Sequence, residues 1–63
     1  MAARLTITIN AENDAFVDNP EYEIASILRG LTNDIEENGL RERTYPLWDS
    51  NGNRCGNIEI TLD

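Results

Sequence analysis

The sequence predicts an α+β fold, β-α-β-β, with one helix packed on a three-stranded antiparallel sheet. Three observations carry this. Apolar and polar residues alternate near both ends, at Leu5-Ile7-Ile9 and Ile58-Ile60-Leu62, which is the period of half-buried strands. Between them Ile24, Ile27, Leu28, Leu31 and Ile35 recur at helical spacing. Asn51-Gly52 then separates two strand-like runs; this is a strong hairpin signal because both residues tolerate positive φ. The 63 residues form one domain, 1–63.

The first strand turns Thr6 and Thr8 away from the core. Residues 11–19 read as a loop rich in Asn and Asp, with Phe16 pinning it to the core. Asn19 suits the N-cap and Pro20 the first helical position. Glu21 and Glu23 in the first turn complement the helix dipole. Gly39 fits the position after the last turn, with Leu40 meeting Ile35 as in a Schellman closure. Glu36 and Glu37 oppose the dipole, and Gly30 costs about 1 kcal/mol relative to alanine. Gly30 either permits close packing against a strand or a second subunit, or is a tolerated surface glycine. A second strand is expected at about 44–49 and a third at about 54–62. Pro46 suits an edge strand and Gly56 a bulge. The third strand, with the longest alternation, is expected in the centre.

Composition bounds the function. Twelve acids face five bases, all arginine, for a net charge of −7. A chain this short buries only about 60% of its unfolded surface, so its core is marginal. One cysteine cannot form an internal disulfide, and without histidine no zinc-type ligand set is present. A well-packed monomer or a homodimer remains, and we expect the homodimer. No run approaches the roughly 18 apolar residues of a membrane span, and no signal-peptide run opens the chain. With a lone thiol, this predicts a cytoplasmic location. The charge opposes direct contact with nucleic acid or anionic membrane. It favours a protein or ribonucleoprotein with a basic surface, although the same charge also keeps a small protein soluble.

No base, nucleophile or metal set is recognisable, so the chain is read as a binding protein and not an enzyme, with no cofactor. Cys55 has no histidine to activate it and reads as a packed thiol. Asp49-Ser50-Asn51-Gly52-Asn53 superficially resembles a calcium loop, but glycine stands fourth and Ile60 twelfth, where glycine sixth and glutamate twelfth are required. Candidate partner-binding residues fall in two acidic groups. Glu12, Asp14, Asp18, Glu21 and Glu23 occupy a stretch without a base; Asp34, Glu36 and Glu37 lie roughly 20 Å further along the helix. Such carboxylates can imitate phosphate spacing in a basic groove, as a nucleic-acid mimic does. Trp48 is a candidate interface anchor on the open sheet face beside Thr6, Thr8, Glu59 and Thr61, unless a bulge turns it into the core. Arg41 and Arg43 are expected to pair with Glu36, Glu37 or Glu42.

Four segments together carry a resemblance: Leu5-Thr-Ile-Thr-Ile-Asn10, Asn13-Asp-Ala-Phe16, Glu23-Ile-Ala-Ser-Ile-Leu-Arg29, and Leu47-Trp-Asp-Ser-Asn-Gly-Asn53 before Gly56. Over nearly its whole length the chain resembles small phage and prophage proteins, mostly of unassigned function. Trp48 stands where that pattern has arginine, and Cys55 where it has an aliphatic residue. The resemblance implies a phage protein acting in the cytoplasm of an infected or lysogenic host. By analogy with small acidic counter-defence proteins, it implies an anti-CRISPR-like inhibitor of a host defence complex. The alternative is an accessory module in phage replication or recombination, acting through the sheet face around Trp48.

Overall fold

In the computed structural model, which describes residues 2–63, the alternating segments form one antiparallel sheet. Its strands are β1 (Ala3–Ile9), β2 (Arg43–Trp48) and β3 (Arg54–Leu62), in the order β1-β3-β2. The expected α+β architecture and the central third strand are both observed. Leu5 lies opposite Ile60 and Ile7 opposite Ile58. On the other side Tyr45 lies opposite Ile58 and Leu47 opposite Gly56. Directly opposed residues share a face, so one face gathers the apolar side chains. Helix α1 (Pro20–Asn38) covers it.

The core consists of Phe16, Leu31, Leu47, Cys55, Ile58 and Ile60, with Ile24, Ile27, Leu40 and Tyr45 packed around it. The helix cover is uneven. Leu5, Ile7 and Leu28 remain 38%, 42% and 40% exposed. The opposite sheet face has no helix over it and is mostly polar.

The helix caps follow the local signals. The Asn19 side chain accepts from the Tyr22 N–H at 3.2 Å, with Pro20 behind it. Gly39 takes φ +78°, and its N–H donates to the Ile35 carbonyl at 2.9 Å. That single bond is the simpler glycine closure in place of a full Schellman pair. Within the loop, Asp14–Phe16 forms one 3₁₀ turn.

The hairpin turn departs from the expected geometry. Only Gly52 has positive φ, at +83°. The Gly52 N–H donates to the Asp49 carbonyl at 3.0 Å, and the Asp49 N–H to the Asn53 carbonyl at 2.9 Å. This is a three-residue loop closed by a glycine bulge, not the two-residue turn with both residues at positive φ. A second irregularity lies at Leu47/Trp48, where pairing passes from Gly56 to Arg54 and leaves Cys55 as the extra residue. The bulge buries Cys55, 3% exposed, and leaves Trp48 at 56%. The bulge therefore carries the thiol inward, and the indole stays out.

Candidate partner-binding surface

The loop acids stand on a braced segment. Phe16 is 3% exposed and fixes the 3₁₀ turn to the core. The Asn13 side-chain amide donates to Asp49 Oδ2 at 3.0 Å and to the Arg54 carbonyl at 3.2 Å, tying the loop to the hairpin. Around these anchors Glu12, Asp14, Asp18 and Glu21 are all exposed. Among the described residues, none of these four carboxylates is ion-paired.

Glu23 does not join that rim. It is 7% exposed, and its two oxygens accept from the Ser50 N–H at 2.8 Å and the Ser50 hydroxyl at 2.9 Å. Turn N–H groups without a ladder partner need an acceptor, and the first turn of α1 lies against the hairpin. The carboxylate expected to meet a partner therefore staples helix to turn. Asp49 does similar work within the turn: it is 6% exposed, and Oδ1 accepts from the Asn51 and Asn53 N–H groups at 3.0 and 2.9 Å.

Asp34 is also drawn inward. It is half-buried and ion-paired with Arg43, and it accepts from Asn38 at 2.8 Å and the Tyr45 hydroxyl at 3.0 Å. The Arg43 guanidinium also sits 4.4 Å from the centre of the Tyr45 ring, within cation–π range. Arg43 was expected to pair with Glu36, Glu37 or Glu42. It lies opposite Ile60 on the helix-covered face, which directs it under α1 to Asp34. Glu42 instead accepts from the Leu62 N–H at 2.9 Å. Glu36 and Glu37 remain exposed.

An open groove of about 340 Å³ runs between α1 and β2, bordered by Ile27, Gly30, Asp34, Tyr45 and Trp48 among others. A Cβ added at Gly30 would meet nothing within 4 Å, so close packing against a strand of the same chain does not require this glycine. Cys55 is packed, its thiol donating to the Leu47 carbonyl at 3.6 Å. Burial first, then the Asp49 and Glu23 carboxylates, pushes its pKa up, which keeps it a thiol and unreactive. Among the described residues, no helix is long and apolar enough to cross a membrane.

Two carboxylates are held below their ordinary range by their hydrogen bonds. The Asn53 N–H foremost, with Asn13 and the Asn51 and Gly52 N–H groups, holds Asp49 below its ordinary value of 3.8 against the opposing effect of burial. Asn38 first, then Tyr45 and Arg43, holds Asp34 below the same value. A depressed folded pKa contributes stability that is complete above the unfolded value and lost as pH falls through the folded one. Urea midpoints are therefore expected to hold steady from neutrality to about 3.8 and to drop below it. Asp49→Asn should shrink that acid-dependent loss; an unchanged acid profile would show that Asp49 does not contribute to it.

Of the candidate partner-binding acids, the exposed ones fall in two groups, Glu12, Asp14, Asp18 and Glu21 at the loop and helix start, and Glu36 and Glu37 near the helix end; Glu42, Glu59 and Asp63 are exposed elsewhere. Trp48 lies on the edge strand between the groove and the open face. Compared with known protein families, curated proteins and solved structures, the chain matches none.

Proposed function

We propose that the protein is a small inhibitor that binds stoichiometrically to a basic surface on a host complex. The observation that carries this reading is the braced loop and helix start with four exposed carboxylates, Glu12, Asp14, Asp18 and Glu21, none ion-paired among the described residues. Arginine and lysine clusters that hold phosphate also accept carboxylates, often bidentately. Bracing by Phe16 and Asn13 lowers the ordering cost of binding. Glu36 and Glu37 extend the negative surface along the helix. The choice of a nucleic-acid-binding defence complex, in the cytoplasm of an infected or lysogenic host, rests on the resemblance to phage proteins.

A target recovered by affinity capture allows a direct test. Reversing Glu12, Asp14 and Asp18 to lysine is expected to weaken binding more than tenfold, or by more than about 1.4 kcal/mol. Wild-type affinity should also fall as salt rises, because screening acts over about 8–10 Å near physiological ionic strength. Binding indifferent to both changes would sink the acidic-surface mechanism. The exposure of Trp48, 56%, favours one second reading, an accessory module of phage replication or recombination. There Trp48→Ala would cost more affinity than the acid reversals.

A further inference from the structure

The two edges of the sheet offer different things to a new strand. The Asn10 N–H donates to the Cys55 carbonyl at 2.6 Å, and the Asp63 N–H to the Ala2 carbonyl at 2.9 Å. Backbone groups alternate in direction along a strand. The even-numbered residues of β1 therefore bond β3, and Ala3, Leu5, Ile7 and Ile9 turn their N–H and C=O groups outward. β1 is seven residues long, regularly paired on its inner side, and free of proline and acids. By the same alternation, Pro46 lies where β2 turns its backbone outward. Its missing N–H and the neighbouring bulge blunt that edge.

The side chains along β1 point the same way. Leu5 and Ile7 lie on the helix-covered face of the sheet, yet are 38% and 42% exposed. Leu5 and Ile7 thus form a short apolar strip along an open edge. Symmetry narrows the occupant to a second copy, because Leu5 and Ile7 stand evenly about Thr6 and so match themselves in an antiparallel pair. Two chains of net −7 repel each other, and β1 opposes such an approach least, because Arg4 is its only charge.

We infer that two copies of this chain pair through β1, antiparallel about a two-fold axis at Thr6, and that their sheets join into one of six strands. In this register Leu5 faces Ile7 of the partner subunit, and Ala3 faces Ile9 of the partner subunit. All are residues with outward backbone groups, so each pair exchanges two hydrogen bonds. The Leu5 and Ile7 side chains of both copies then form one apolar ridge on the helix side. A register shifted by one residue sets outward groups against inward ones and leucine against threonine. The arrangement does not depend on the proposed host target, and its test needs none.

Sedimentation equilibrium of the full chain is expected to give twice the 7.1 kDa chain mass, dissociating on dilution. Ile7→Lys, which puts two ammonium groups into the apolar ridge, should raise the dissociation constant at least a hundredfold with the circular dichroism spectrum unchanged. Thr6→Cys tests the register. At the axis the two copies form a pair without mutual hydrogen bonds, about 4.5 Å between Cα atoms, at the near end of the disulfide range of about 4.4–6.8 Å. It should cross-link quantitatively under mild oxidation, and Thr8→Cys should not. A wild-type monomer throughout the concentration range, or a dimer unaffected by Ile7→Lys, overturns the inference. If Ile7→Lys does not fold, Thr6→Cys decides alone, and failure to cross-link overturns it.

Discussion

Alanine at Gly56 is expected to detach β1 or unfold the protein. The added Cβ would lie 1.9 Å from the Thr8 carbonyl oxygen, 2.9 Å from its carbon and 3.1 Å from the Ile9 Cα. All three are backbone atoms of β1, so no side chain can rotate away to relieve the clash. Relief requires β1 to shift, and among the described residues its only strand partner is β3. The expected cost exceeds about 4 kcal/mol, in the range that marks a specific structural conflict. A 63-residue chain at ordinary stability per residue has roughly 3–9 kcal/mol in total. Gly30→Ala is the matched control, because its Cβ meets nothing within 4 Å; it should hold or raise the urea midpoint. Equal midpoints for Gly56→Ala and the wild type would refute the close approach.

Phe16→Ala is expected to cost about 3–5 kcal/mol, the usual penalty for emptying a buried aromatic site. The ring is 3% exposed and belongs to the core cluster. Its loss also removes the main apolar anchor of the loop bearing Glu12, Asp14 and Asp18. Affinity for a basic target should therefore fall further than the folded fraction does, measured where circular dichroism still shows a folded majority. Phe16→Leu should recover most of both losses. A variant destabilised by less than about 1 kcal/mol would remove Phe16 from the role of anchor.

What was legible in the sequence was local. The strand alternation, the Asn19-Pro20 helix start and Gly39 at the helix end each act within a few residues. The edge position of Pro46 was also readable from its missing backbone donor, whereas the bulge expected at Gly56 falls on its neighbour Cys55. Less visible were the roles of acids that act across the fold. Glu23 bonds Ser50 at a separation of 27 residues, and Asp34 reaches Arg43 and Tyr45 on the next strand. Charge alone placed both on an exposed rim. A helical row would have shown the first: Glu23, Ile27 and Leu31 are spaced four apart, which puts the carboxylate in line with a buried leucine. Of the two readings of Trp48, the exposed one is observed, and the bulge turns in Cys55 instead, because strand parity cannot say which side chain an extra residue turns in.

The hairpin turn also sets how the molecule ages. An Asn-Gly sequence loses ammonia spontaneously when the glycine nitrogen attacks the asparagine side-chain carbonyl, closing a succinimide ring that opens mainly to isoaspartate. In the fold the attacking nitrogen, that of Gly52, donates to the Asp49 carbonyl at 3.0 Å, and the tight turn restrains the rotation that ring closure needs. Reaction at Asn51 therefore proceeds through molecules whose turn has opened. Isoaspartate accumulation at Asn51, read by peptide mapping, becomes a slow chemical record of how often this end of the protein comes apart.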